Sequence, residues 1–582
     1  MGIDEESKLA EERAAAETER RDSLEGEWAD QLFSSSLVVQ VDYDDADALN
    51  GLAEIGKFFR TKQTERILRD RPASFLVGLN CIASSKMQQR TLWPFIFEGL
   101  DLPSSQGLQE IISRLHRQAL NKFRLERFEH PLGRIGEILL HAGIPVSSQE
   151  KFVRRLIREY RSNPDFDNLS FNESIRAITP DRVQAASLDK PIWHFINQAG
   201  NVADDFVARC VEILDEPDNP TAGEGLPARV IAEVSRLVNE IGRAGLRRAG
   251  SSVARVKAPY LRWDYSMDNQ LEVVFPALPE SQQSPVRWTI EAGSTIHTVD
   301  LAQELVGVSR QERSQELSAP VGQLTVQSES LDSYSSLQKR TWALSLFPDD
   351  QPVMFFDSEG KMNPGKGPLE PGLVRVLYPN RTIYSQNAPE IQVDGLHANR
   401  SVDAPLGWGS TDFETGWSSL EIDCSQAEAI EISFGGNSRP LRRAISAFRR
   451  PRVSNNGLVP GVFDQDDSPV FSEFPVFDLG TLSEDGESWT YQIRSESRTL
   501  LWSSSVSATQ GRVKADPPSE LSGTFVIQIS RGFGQTTTVT RTVIPGLLSS
   551  YDGMTRQLKG DGTGLDSCLF ELSGLNGFHE KV

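Results

Sequence analysis

The residues best equipped for chemistry form a few short constellations. Pro348-Asp349 is followed by Glu359-Gly-Lys361, with the apolar run Val353–Phe356 between them. Metal-dependent nucleases hold Mg²⁺ with paired acids and use a lysine to aid the attacking water, so Asp349, Glu359 and Lys361 outline that activity. The spacing is permissive, and Asp357-Ser-Glu-Gly has the composition of a turn, whereas rigid metal ligands sit better on a strand. A plain hairpin with solvated ends is the competing expectation. Glu137 and His141 stand four apart, on one face of a helix, with His130 upstream. Two imidazoles and a carboxylate suit zinc, but the His-Glu-x-x-His order is absent, and a hydrogen-bonded core histidine is expected instead. No Gly-x-Ser-x-Gly elbow and no phosphate-binding Gly-x-x-x-x-Gly-Lys-Ser/Thr loop occurs, and Cys81 and Cys210 have no neighbouring histidine. The sequence therefore weighs against an enzyme, assigns no catalytic residue and no cofactor, and leaves the nuclease trio as the catalytic alternative.

Positive charge is the other chemical signal. The formal net charge is -21, a mean field that repels phosphates, so concentrations of arginine stand out against it. They occur at Arg114–Arg127, Arg154–Arg158, Arg243–Lys257 and Arg439–Arg452. Gathered on particular faces, such side chains make a phosphate-binding track, arginine giving bidentate contacts. Arg114, Arg117, Lys122, Arg124, Arg127, Arg154, Arg155 and Arg158 are the expected nucleic-acid contacts, touching phosphates without reading bases. The opposing expectation is that these cations pair with the chain's own abundant acids or across a subunit interface.

The elements that must carry these residues are legible from periodicity. Leu108, Ile111, Ile112, Leu115, Ala119, Leu120 and Phe123 recur at offsets of three and four and predict the buried stripe of a helix. Its opposite face carries Arg114, Arg117, Gln118, Asn121 and Lys122, with Glu110 as the acid among them. A short helix over 132–142 follows, begun near Pro131 and stopped at Gly143 and Pro145. Ser147 or Ser148 can cap the next, through Phe152, Leu156 and Tyr160. Residues 1–35 are dense in Asp and Glu and read as a solvated helical arm, a frayed or loosely docked helix being expected over a coiled coil because its few apolar residues cannot fill an a/d seam. The stretch 36–258 reads as an α-helical domain broken at prolines. Beyond Pro259, period-two strands such as Thr524–Ser530 and frequent turns predict β domains over 259–347, 348–450 and 451–582. The fold class is thus multidomain, α followed by all-β, with two or three β-sandwiches cored by Trp263, Trp288, Trp342, Trp417, Trp489 and Trp502. Four widely spaced cysteines form no disulfide framework, no apolar run spans a bilayer, and the acidic start is unlike a signal peptide, so a cytoplasmic protein is expected.

The segment Gly136-Glu-Ile-Leu-Leu-His-Ala-Gly-Ile-Pro145, preceded by Leu92-Trp-Pro-Phe-Ile-Phe97, resembles a region of large uncharacterised bacterial proteins encoded among antiphage defence genes. Gly523-Thr-Phe-Val-Ile-Gln-Ile-Ser-Arg-Gly-Phe-Gly534 and Val543-Ile-Pro-Gly-Leu547 are similar to the last domain of that family. The resemblance implies a helical amino-terminal half followed by immunoglobulin-like β domains, and it brings no catalytic residues. It also implies a role in defence. The expected function is a non-catalytic subunit that binds DNA through its basic helical faces and docks a partner effector, a helicase or nuclease, on its β modules. A purely structural protein–protein scaffold is the third expectation, and none involves a membrane.

Overall fold

The stretch Pro72–Lys86 is apolar on every side, and a helix of that kind has to be surrounded by others. The computed structural model of the chain shows this arrangement. It describes the residues other than 1–2, 87–91, 130–133, 163–165, 167, 177, 179–181, 184–187, 218, 220–221, 243–258, 267, 276–285, 293–294, 302–312, 319, 321, 331–339, 348–350, 364–366, 382–386, 410–415, 436–439, 465–468, 481–484, 496–498, 553–556, 562–570, 574–578 and 582. His130, Asp349, Arg439, Cys568 and the cluster Arg243–Lys257 therefore lie outside the described residues.

The helices are α1 (Ile3–Phe33), α2 (Asp45–Arg60), α3 (Glu65–Asp70), α4 (Pro72–Lys86), α5 (Trp93–Gly99), α6 (Gln106–Phe123), α7 (Arg134–His141), α8 (Val146–Ser162), α9 (Asn168–Arg176), α10 (Lys190–Gln198), α11 (Asn201–Asp215) and α12 (Ala228–Ile241). Helix α4 is the hub, with Phe75, Leu76, Leu79 and Ile82 in one apolar cluster that takes in side chains from α1, α2, α5, α6 and α7. The amino-terminal arm is not merely solvated. Trp28 and Leu32 are buried in that cluster, and the Glu25 carboxylate accepts from Ala73 N (2.7 Å) and Ser74 N (2.9 Å) at the start of α4. The free N–H groups of a buried helix start need acceptors, and an anion suits that end, which is why the second half of α1 docks. Helix α8 begins at Val146, ahead of the serines expected to cap it, and Ser148 Oγ donates to Asp189 at 2.9 Å.

The strands are β1 (Tyr260–Trp263), β2 (Leu271–Phe275), β3 (Val286–Ala292), β4 (Thr295–Leu301), β5 (Arg313–Glu316), β6 (Gln323–Ser330), β7 (Arg340–Ser345), β8 (Met354–Phe356), β9 (Leu373–Pro379), β10 (Glu390–Val402), β11 (Trp417–Ser433), β12 (Leu441–Ala444), β13 (Arg452–Val453), β14 (Leu458–Phe463), β15 (Pro469–Phe471), β16 (Phe477–Asp478), β17 (Ser488–Ser495), β18 (Leu500–Ser507), β19 (Arg512–Val513), β20 (Gly523–Ser530), β21 (Thr536–Val543), β22 (Leu548–Asp552), β23 (Gln557–Asp561), β24 (Glu571–Ser573) and β25 (His579–Lys581). Among the described residues, helices thus occupy the first part of the chain and largely antiparallel sheets the rest, with β15 and β21 paired in parallel.

The chain divides into two compact units, residues 1–447 and 448–582. In the first, the sheets run β1-β2-β5, β4-β3-β6-β7 and β10-β11-β9-β8, with β12 added to β11. One core draws Trp263, Trp288, Leu324, Met354 and Trp417 together, from both sides of residue 347. In the second unit the large sheet runs β18-β17-β20-β21-β15-β14-β24-β25, over a core of Trp489, Tyr491, Phe525 and Ile527. Trp502 packs partly buried against that core, and Trp408 joins the first unit's core with its indole N–H on Leu317 O at 2.7 Å.

Candidate functional site

Helix α6 has 18 residues, and its polar side is built from two rows spaced by one turn. Gln106, Glu110, Arg114 and Gln118 form an exposed outer row, while Gln109, Ser113, Arg117 and Asn121 form the inner one. These eight side chains line one wall of a cleft of about 690 Å³, closed on the other side by Trp93 of α5, Ile135 of α7 and Glu428 of β11. Glu428 arrives there through an irregularity: Asp394 pairs with Ala429 and Gly395 with Ala427, so Glu428 is the residue skipped in the β10–β11 ladder. A bulge of this kind takes a side chain out of the regular alternation and re-aims it. The opposite face of α6 is core, with Ile112, Leu115, Ala119, Leu120 and Phe123 buried as their spacing predicts.

Charge in the cleft is balanced. Arg114 and Arg117 share the lining with Glu110 on their own wall and Glu428 on the opposite one. Arg117 is also held from behind, 3.3 Å from Glu129 and 4.0 Å from the buried Glu137. Glu129 in turn accepts from Arg442 at 2.9 Å, and the same guanidinium reaches Asp394 (2.7 Å) and Glu431 (3.2 Å). A chain of alternating charges therefore runs from α6 to β12. Arg114 is exposed and makes no ion pair among the described residues. The amides of Gln106, Gln109, Gln118 and Asn121 make no side-chain hydrogen bond to protein among the described residues.

Two buried titratable groups belong to the segments that follow α6, Glu126 and His141. Glu126 is 2% exposed, and its carboxylate accepts from Ser446 Oγ at 2.8 Å and Arg127 N at 3.0 Å. Burial pushes its carboxyl up to about 7, against the pull of those hydrogen bonds and of the Arg127 charge. His141 is 1% exposed, and its Nε2 lies 3.0 Å from Glu126 O. That bond assigns the proton to Nε2, and burial pulls the imidazole down to about 3, so the ring is neutral. His141 is thus a core histidine hydrogen-bonded to a carbonyl. Among the described residues no group of three or more His, Cys, Asp and Glu could hold a metal ion.

The remaining expected contacts fall elsewhere. Lys122 donates to Leu68 O at 2.8 Å and stays exposed, and Arg124 closes α6 in the left-handed conformation at φ 54°. On α8, Arg154 pairs with Glu150 (2.8 Å) and with Glu240 of α12 (3.3 Å), inside a network completed by Arg236 and Glu233. Burial lowers the guanidinium of Arg155, whereas Arg158 is exposed. Arg443, from the fourth cluster, is buried on Gly367 O (3.0 Å) and Asn363 Oδ1 (2.9 Å). The structure therefore gathers Arg114 and Arg117 in one cleft and ties Arg117 and Arg154 to the chain's own acids.

Glu359 and Lys361 sit in the turn after β8. Asp357 Oδ1 accepts from both of their backbone N–H groups at 2.9 Å, and Gly360 N donates to Asp357 O at 3.0 Å. The Lys361 ammonium lies over the Tyr260 ring, 4.9 Å from its centroid. This is an Asx turn pinned against β1, with Trp263 N on Gly360 O at 2.7 Å. Their expected partner Asp349 is outside the described residues.

Sequence reasoning missed Trp93, Ile135 and Glu428 as site residues. Gln106 and Gln109 were within reach, since they continue the two polar rows by one turn toward the start of α6. Glu428 had no local signal, being three hundred positions away and aimed by a bulge. Compared with known proteins, the sequence matches no family model and no curated relative.

Proposed function

We propose that the chain is a non-catalytic binding subunit of an antiphage defence system, and that its α6 cleft docks the partner protein that carries the chemistry. The observation behind this reading is a cleft whose two arginines are matched by two glutamates and whose remaining polar lining is mostly amide. A phosphate track needs surplus positive charge, whereas a protein segment of low charge does not. The defence role rests on the likeness of the Gly136–Pro145 and Gly523–Gly534 segments. In this reading the sheets after residue 259 are immunoglobulin-like modules that add docking surface, and the protein works in the cytoplasm, its buried Cys81, Cys210 and Cys424 free. Among the described residues, no helix is long and apolar enough to cross a membrane.

The test is co-expression with the products of the flanking genes, followed by two-step affinity purification. The parent retains one of them in fixed proportion, and Gln109→Trp, which puts a bulky ring into the middle of the α6 wall, loses it. Retention by both proteins alike refutes docking at this site.

A second reading, DNA binding, is favoured by one observation: Arg114, Lys122 and Arg158 are exposed cations without an ion pair among the described residues. It predicts duplex binding that weakens steeply with salt, and Arg114→Glu/Lys122→Glu flattens the salt slope by about two charges. Equal affinity and slope in the two proteins remove it.

A further inference from the structure

We infer that the α6 cleft recognises the main chain of an extended polypeptide segment, an inference that rests on the docking reading above. Gln106, Gln109, Gln118 and Asn121 each present an N–H donor beside a C=O acceptor. That pair of groups is the complement of a peptide unit. A phosphate offers acceptors only, so it would leave the carbonyl half of every amide facing an oxygen. From Gln106 to Asn121 the helix advances about 22 Å, at roughly 1.5 Å per residue. A fully extended chain of roughly seven residues, at about 3.3 Å each, covers that length. The amides therefore meet a strand at several points and not one.

The cleft selects little by charge, since its arginines and glutamates cancel in number. Across from the amides, Trp93 and Ile135 offer an apolar step for one or two side chains of the strand. An oligosaccharide is also neutral and polar, but it binds best on a fully presented aromatic face. Trp93 is half-buried and packed on Phe97, with ring centroids 6.0 Å apart. The geometry thus favours main-chain hydrogen bonds with one apolar anchor, so that affinity comes from the backbone and the sequence of the segment matters at few positions.

The experiment uses the full chain and three probes: a random 12-residue peptide library displayed on phage, the oligonucleotide dT15 and maltoheptaose. Peptides are selected on the parent, then measured on Gln109→Trp and on Gln109→Leu/Gln118→Leu/Asn121→Leu, each checked for folding by circular dichroism. The expected result is peptide binding that is lost in Gln109→Trp, whose ring blocks the path of the strand, and weakens at least tenfold in the triple variant. N-methylation of alternate peptide N–H groups weakens it similarly, while an alanine scan of the peptide finds at most two sensitive positions. Peptides lost by Gln109→Trp but held by the triple variant at parental affinity would overturn main-chain recognition and leave docking standing. Peptides held equally by Gln109→Trp would overturn both. No selectable peptide, or parental binding of dT15 or maltoheptaose that Gln109→Trp loses, would overturn the peptide class itself.

Discussion

Replacing Glu126 by glutamine separates the contributions of two buried titratable groups, Glu126 and His141. The Glu126 carboxyl is raised from 4.5 to about 7, so the folded protein holds a proton there that the unfolded chain has released. Its contribution to stability is full below pH 4.5 and is lost as the pH rises through 7; a shift of that size corresponds to about 3 kcal/mol. His141 works in the opposite sense. It is lowered from 6.5 to about 3, so its contribution is full above pH 6.5 and is lost as the pH falls toward 3. Between pH 4.5 and 6.5 the two slopes, each about 1.4 kcal/mol per unit, oppose and nearly cancel. Glutamine mimics the protonated carboxyl and removes one side of this balance. Relative to the parent, Glu126→Gln should gain about 3 kcal/mol between pH 4.5 and 7.5, and its own stability should fall on acidification below pH 6.5, where His141 is unopposed. Because the chain has two units, the assay should be local: urea titrations read by pulse-labelling hydrogen exchange on peptides from α6 and α7, at half-unit steps of pH. Parallel parent and variant curves across that range would show Glu126 ionising as it does in water, and the account of a buried proton would fail.

Three further outcomes are expected. Arg117→Met withdraws a guanidinium from Glu129 and from the buried Glu137 and should cost about 1–3 kcal/mol, whereas Arg114→Met, without an ion pair among the described residues, should stay within about 0.5 kcal/mol in urea unfolding. Gly360→Ala puts a Cβ 2.0 Å from Trp263 O at φ 79° and should lower stability by about 2 kcal/mol or more; Gly486→Ala, at φ 91° with open space around it, should lose only about 1 kcal/mol, and equal thermal shifts would contradict the steric argument. Glu25→Ala removes the acceptor from the first N–H groups of α4 and should cost about 1–2 kcal/mol while speeding hydrogen exchange across α1; unchanged exchange there would mean that α1 docks through Trp28 and Leu32 alone.

The two faces of α6 were legible in advance because both follow from one local rule, the 3.6-residue period. The same rule made the core positions Ile112, Leu115 and Phe123 readable. The change of grammar near Pro259 and the turn at Asp357–Gly360 were readable for a similar reason, since strand alternation and turn chemistry are properties of a few adjacent residues. The docking of α1 was legible only as that of a frayed or loosely held helix. Its acids are as numerous as its apolar residues, and only the fold brings the α4 start to Glu25 and Arg71 to Asp22.

What the sequence determined by itself was where positive charge would collect on each helix. Only the tertiary structure decided which of those charges remain available. Arg154 meets Glu240 from 86 positions away, and Glu129 meets Arg442 across 313 positions. An ion pair depends on distance in space, which falls off within a few ångströms, and local spacing carries no information about a carboxylate that the fold delivers from another element. The cleft has the same origin: α6 supplies a wall that its own sequence specifies, and α5, α7 and a bulge in β11 supply the rest.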